Sequence, residues 1–394
     1  MMDYLTILRT DQPCNKRVTL SNGEIQKKAG LPIAEAIAVT VHVPDVSALQ
    51  ARLSELSLDP NAVLVSGFVE GTEEGEPYVV MSRSLIKEAT QEPYERGFVD
   101  INGQRVIARL KTNFAPSSWL MIDRDKLEGL PEHLNPDDEA SYIDMVDRII
   151  PGFAKAGRLR VPSTSSRVLL DGVPLFSNGV RYWFQVSDPS AVEGLGARLK
   201  VRAASLDLAF MQPSAVSERG VLSTIFDCSV FSPERLVYDG QPTVSGQGLS
   251  LAEPKLEVTA GGRVDLSSIP VVSSADQQRV QRQYGLTISN ANQICSFAVD
   301  GELRLDMLIE TKEGSMTPRQ FFESPADRIR CQATFRSSSS WNGALKKTDD
   351  GLPYLHDFGS STLYFLGAEE KKELLRGRPK SWLTVQREVA RNLA

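Results

Sequence analysis

The chain has 394 residues, more than one hydrophobic core usually fills, so two structural units are expected. Hydrophobic residues make up 41% and charged residues 24%, and no run approaches the roughly 18 apolar residues that span a bilayer, which predicts a soluble globular protein without membrane partners. The net charge of −6 excludes a broad basic surface, because neutralising phosphates takes clustered Lys and Arg, so any nucleic acid has to lie in a local groove.

The opening Met-Met-Asp-Tyr has no basic stretch followed by an apolar run, which predicts no secretory signal and a cytoplasmic location. Four cysteines (Cys14, Cys228, Cys295, Cys331) lie far apart without a Cys-x-x-Cys pair, and only His42, His133 and His356 could complete a metal site, so neither structural zinc nor a disulfide framework is expected.

Taken along the chain, Ala36–Val43 reads as a strand and Val46–Leu56, after Pro-Asp, as an amphipathic helix. Gly97–Leu110 alternates around Asn102-Gly103, the chemistry of a tight hairpin. Ser118–Ile122 reads as a buried strand that delivers Asp123. In Asp138–Phe153 the residues Tyr142, Met145, Val146, Ile149 and Phe153 recur at helical spacing, and Pro151-Gly152 closes the helix. Gly157–Leu170 and Val180–Val186 read as short extended runs. Asp188-Pro189 then predicts an N-capped helix burying Val192, Leu195 and Leu199. In Val221–Tyr238 an extended backbone would place Asp227 inside an apolar run, and Gly240–Pro270, rich in Gly, Pro and Ser, reads as a linker. A second unit is expected from about Ser274, with a polar helix and an extended segment over Glu302–Ile309.

The sharpest chemical feature is Trp119-Leu-Met-Ile-Asp123-Arg-Asp125, an apolar strand running into two carboxylates at i and i+2, which face the same side of an extended backbone. Such a pair repels unless a cation lies between, favouring a hard divalent ion such as Mg²⁺ or Mn²⁺, although the same pair also simply ends strands toward solvent. Three further segments could complete a site. Pro162-Ser-Thr-Ser165-Ser166-Arg167 could hold a triphosphate, or form a turn. Arg181 sits among apolar residues in Val180–Val186, and a carboxylate buried at Asp227 would be costly unless paired or metal-bound. A Ser-His-Asp hydrolase and a P-loop ATPase find no matching motif.

In this order, Asp123-x-Asp125, the Ser163–Arg167 run, the strand ending Val186-Ser-Asp188-Pro, and Asp227 followed by Ser232-Pro-Glu-Arg-Leu resemble the motif series of archaeo-eukaryotic primases, in particular the primase-polymerase domains of phages, plasmids and integrative elements. The resemblance covers roughly residues 20–260. It implies a mixed α/β (α+β) fold, with a primase-like catalytic core over 1–265 and a smaller accessory unit over 266–394. Asp123, Asp125 and Asp227 become the catalytic metal ligands for Mg²⁺ or Mn²⁺, and Ser165, Ser166, Arg167 and Arg181 the nucleotide contacts. Arg181 stands where the family usually has histidine, a departure because a guanidinium cannot act as a neutral acceptor.

The implied partners are a single-stranded DNA template, nucleoside triphosphates and a replicative helicase in a bacterial host cell. Arg109 and Lys111 are expected at the template backbone, and Arg330 and Arg336, near Phe335 and Trp341, at a small single-strand contact. Two other readings stay open: a non-catalytic primase-fold protein that binds nucleic acid or nucleotides, motivated by Arg181, and an unrelated Asp-x-Asp transferase acting on sugar nucleotides.

Overall fold

A computed structural model describes residues 2–124, 129–176, 179–214, 217–288, 294–332, 341, 343–348, 351–358 and 362–376. It is a mixed α/β architecture that separates into two compact units, Met1–Ala209 with Ser223–Val271, and Phe210–Leu222 with Val272–Ala394. Phe210–Leu222 belongs with the second unit although the residues on both sides of it in sequence belong to the first.

The first unit contains a seven-stranded sheet in the order Leu236–Val237, Ala62–Val65, Tyr4–Arg9, Glu35–His42, Pro77–Met81, Gln104–Ala108, Val99–Ile101. All neighbours are antiparallel except Pro77–Met81 with Gln104–Ala108. The expected hairpin is present: Asn102 (φ 55) and Gly103 (φ 79) both take left-handed backbone between its strands. The helix Val46–Leu56 forms as expected because Asp45 caps it, accepting from the Ala48 N–H at 2.8 Å, while Leu49, Leu53 and Leu56 are buried.

A four-stranded antiparallel sheet follows, ordered Trp119–Arg124, Val180–Gln185, Arg158–Pro162, Glu257–Thr259. Its alternation assigns two faces. Leu120, Ile122, Tyr182 and Phe184 meet the helix Glu139–Ile149 and its following turn, with Tyr142 stacked on Tyr182 at 5.8 Å and Phe153 edge-on to Phe184 at 5.2 Å. Trp119, Met121 and Asp123 face the other way, opposite Gln185, Trp183 and Arg181. On that face the Trp119 indole donates to Val43 O at 2.7 Å and Gln185 donates to Pro44 O at 3.1 Å, tying the smaller sheet to the seven-stranded one.

Three expectations need correction. Gly240–Pro270 is not a linker: Thr243–Ser245 pairs with Arg17–Ser21, Leu249–Leu251 with Val168–Leu170 and Glu257–Thr259 with Arg158–Pro162. Gly261 there serves a close approach, since a Cβ on it would collide with the Ala156 carbonyl carbon. The helix expected after Asp188 is split, because Gly194 (φ 68) breaks a 3₁₀ turn at Pro189–Val192 from the α-helix Leu195–Ser205. The strand Ser217–Thr224 ends before Asp227, which starts a 3₁₀ turn, Cys228–Phe231.

The second unit is built on an eight-stranded sheet, ordered Leu286–Ile288, Ile294–Leu303, Thr362–Leu366, Pro353–Asp357, Gly343–Lys347, Arg328–Cys331, Ile309–Thr311, Gly314–Met316. The expected polar helix is Ser274–Tyr284, capped by Ser273. Leu303, Leu305, Ile309, Phe321, Ile329, Leu345, Leu355 and Leu366 form the core of this unit. No helix of the described residues is long and apolar enough to cross a membrane.

Candidate functional site

The site begins at the end of the Trp119–Arg124 strand. Four apolar residues hold that strand in the core, and Asp123 is the first side chain of the run to reach its edge. Directly across the ladder stands Arg181, whose side chain is only 8% exposed. Its Nε donates to Asp123 Oδ2 at 3.2 Å, while Nη1 donates to Asp239 Oδ1 and, at 3.4 Å, to Tyr238 O. Burial alone would lower the affinity of this guanidinium for its proton. The charges of Asp239 and Asp123 more than offset that, so its pKa lies above the ordinary arginine value.

The opposite oxygens of the two acids, Asp123 Oδ1 and Asp239 Oδ2, are buried without a hydrogen-bond partner. A carboxylate oxygen withdrawn from water and left unpartnered is costly, so each is an unfilled acceptor position.

Asp227 reaches the same place from the far end of the unit's sequence. Its backbone N–H donates to Asp123 O at 3.4 Å. Its carboxylate is 46% exposed and caps the turn behind it, accepting from Ser229 N and Ser229 Oγ, both at 2.8 Å, with the Arg235 guanidinium at 3.8 Å. The expectation that Asp227 is a buried strand carboxylate is therefore wrong in its reason, because Asp-Cys-Ser closes a local turn instead of continuing the strand. The backbone contact nevertheless sets Asp227 beside Asp123. Asp125 and Arg336 lie outside the described residues.

Between these segments is a pocket of about 320 Å³ whose walls include Lys16, Arg109, Asp123, Arg181, Asp227 and Arg235. Four cationic side chains thus face two carboxylates, a balance suited to a polyanion with or without a bound cation. Arg109 is held on the wall by donating to Glu234 O at 2.8 Å, and burial lowers its pKa from the ordinary value. A second pocket of about 350 Å³ lies on the other side of the Cys228–Phe231 turn, with Lys111 on its rim ion-paired to Glu193 at 3.6 Å.

The serine run is placed less simply than expected. Ser165 is buried and accepts from Lys27 Nζ at 3.1 Å, and Ser163 accepts from Lys16 Nζ at 3.3 Å, so the run backs the pocket through Lys16 without lining it. Ser166 donates to Ser163 O at 2.7 Å and closes its own turn. Arg167 donates to Ala252 O and Ser57 O, both at 3.0 Å, a buried tie that does not line this pocket. It is the last residue of the 3₁₀ turn Thr164–Arg167, which leads directly into the strand Val168–Leu170. Arg330 belongs to the second unit, on the strand Arg328–Cys331.

Sequence reasoning missed Lys16, Lys27 and Asp239. The lysines sit beside an exposed hairpin with no local pattern to mark them, and Asp239 before Gly240 has the look of an ordinary turn. Comparison with known proteins finds no matching family model, no matching curated protein and no matching solved structure.

Proposed function

We propose that the chain is a template-directed nucleotidyltransferase of the archaeo-eukaryotic primase type, which makes or extends primers on single-stranded DNA in phage or mobile-element replication. The single observation that carries this reading is the convergence of Asp123, Arg181 and Asp227, from three separate segments, on one pocket rimmed by Lys16, Arg109 and Arg235. Their order along the chain is that of the family's motifs.

The donor set fits a hard divalent ion: Asp123 offers a buried oxygen with no partner, Asp227 a half-exposed carboxylate, and both are oxygen ligands suited to Mg²⁺ or Mn²⁺. Among the described residues no group of three or more His, Cys, Asp or Glu converges as a metal cluster. Asp123 and Asp227 would hold such an ion, which would supply neutralisation of phosphate charge and easier deprotonation of the attacking hydroxyl. The chain's own side chains do the rest: Lys16, Arg109 and Arg235 hold the triphosphate, and Asp239 fixes Arg181 beside Asp123.

The test is incorporation of labelled nucleotides by the purified chain on single-stranded DNA with Mg²⁺ or Mn²⁺, beside Asp123→Asn and Asp227→Asn. Each variant is expected to lose about a hundredfold or more in rate, the scale of several kcal/mol of charge stabilisation. Parent-like synthesis by Asp123→Asn would refute the assignment. A second reading, a non-catalytic primase-fold binder of nucleic acid or nucleotides, draws on the Arg181–Asp123 ion pair, which occupies one oxygen of the acid. Template binding without product under either metal would favour it. A replicative helicase would then be sought as a partner of either form.

A further inference from the structure

In the second unit the strand Arg328–Cys331 buries Ile329 and Cys331 in the core and exposes Arg328 and Arg330. The ladder register carries that face across the sheet onto half-buried residues: Lys346 lies opposite Arg328, Tyr354 opposite Lys346 and Phe365 opposite Tyr354. His356 joins the same face through Ala344, which pairs with Arg330. Tyr354 and Phe365 stack at 5.5 Å with an interplanar angle of 27°. Just past the strand end, the Phe358 ring has three cations over it, Arg328 at 5.7 Å, Arg330 at 5.2 Å and Lys346 at 5.5 Å, and the His356 ring at 4.4 Å.

Among the described residues none of these three cations has a carboxylate partner. Glu310, one strand further out, accepts from Ser315 Oγ at 2.7 Å, and Asp357 is buried on the core side. The crowding has a cost: burial, then the charge of Arg328, lowers the Lys346 pKa, and burial with Lys346 lowers that of His356. Like charges gathered over one aromatic ring are relieved by a polyanion, and the rings beside them offer π-faces. A duplex would leave those rings unused because its bases are already stacked.

We propose that this sheet face binds a single strand of nucleic acid, with phosphates at Arg328, Arg330 and Lys346 and bases on Phe358 and on the Tyr354–Phe365 pair. The four adjacent strands involved span about 14 Å at ordinary strand spacing, room for the two or three bases that antiparallel-sheet binders hold. The site lies wholly in the second unit and does not depend on chemistry at Asp123.

The test is fluorescence anisotropy of a labelled oligodeoxythymidylate on the full chain without metal or nucleotide, with oligouridylate and a DNA duplex as competitors. Arg328→Gln/Arg330→Gln is expected to bind about tenfold more weakly, with a salt slope shallower by about 0.7 for each phosphate that is no longer neutralised. Phe358→Ala is expected to lose about fivefold or more with the salt slope unchanged, and Phe358→Trp to restore binding, because stacking needs only a ring. Competition by oligouridylate equal to that by oligodeoxythymidylate marks the shared phosphate-and-base chemistry, and a DNA preference assigns the face to template. Variants with the parent's unfolding midpoint that still bind within twofold would overturn the proposal, as would equal competition by duplex. So would an equal loss in Asp123→Asn/Asp227→Asn, whose effect on synthesis alone reports on the first unit.

Discussion

Replacing Arg181 by methionine removes the one cation between Asp123 and Asp239 while nearly keeping its volume. Three hydrogen bonds go with it, to Asp123 Oδ2, Asp239 Oδ1 and Tyr238 O, and two carboxylates with relative exposures of 14% and 3% are left facing each other. Breaking a buried ion pair from one side costs about 3–5 kcal/mol, since the remaining charge is desolvated without a partner. For a domain of this size, each kcal/mol moves the midpoint about 2–4 °C, so the thermal transition should fall by about 6–20 °C. Urea unfolding of parent and variant at pH 7.5 measures this cost. A deficit under about 1 kcal/mol would show that Arg181 does not carry the charge balance of this site.

Two other perturbations follow from the same geometry. Gly196→Ala drives a Cβ into the Cys228 carbonyl oxygen, so the turn carrying Asp227 must shift; backbone cannot yield cheaply, and about 1–3 kcal/mol of overpacking should outweigh the gain in helix propensity. Urea unfolding and nucleotide incorporation should both fall, and parent-like values in both would show that the helix adjusts instead. For Asp3, burial alone would raise the pKa, but the Arg263 and Ser118 hydrogen bonds more than reverse it, so the folded value is lowered. The stability it supplies is present above the unfolded carboxylate range and lost as pH falls through the folded value, so Asp3→Asn should flatten the acid limb of a stability–pH curve and cost about 1–3 kcal/mol at neutral pH. An unchanged acid limb would rule out Asp3 as a source of acid sensitivity.

Periodicity made the local elements legible where the chemistry was strong. Asp45 before an apolar-spaced run, and Asn102-Gly103 between alternating strands, form what they predict because cap and turn energies act within a few residues. The failures are nonlocal. Tyr4–Arg9 sits between two partners near the middle of the large sheet, yet six residues at the start of a chain give too short a pattern to mark a central strand. The glycines of 240–270 resemble a linker in composition, and only contacts such as that of Gly261 with the Ala156 backbone distinguish close packing from freedom. At the site, Asp123 was legible as the first polar residue after an apolar strand. Asp239 was not, because nothing nearby in sequence says that it will meet Arg181.

That unseen residue changes what the arginine means. Had Asp123 been the only acid near Arg181, the guanidinium would have neutralised the carboxylate that the proposed chemistry needs, which would have argued against a cation site. Asp239 supplies a second negative charge, buried and held against Nη1, so that Arg181 and Asp239 form a neutral pair of their own. Arg181 then reaches Asp123 only through Nε and Oδ2, and Oδ1 stays without a partner. A fixed guanidinium beside a carboxylate also holds that acid in one orientation. The arginine is therefore compatible with a ligand role for Asp123 as long as Asp239 is present. On this reasoning Asp239→Asn should weaken divalent-ion binding at the pocket although Asp239 itself is not placed among the ligands.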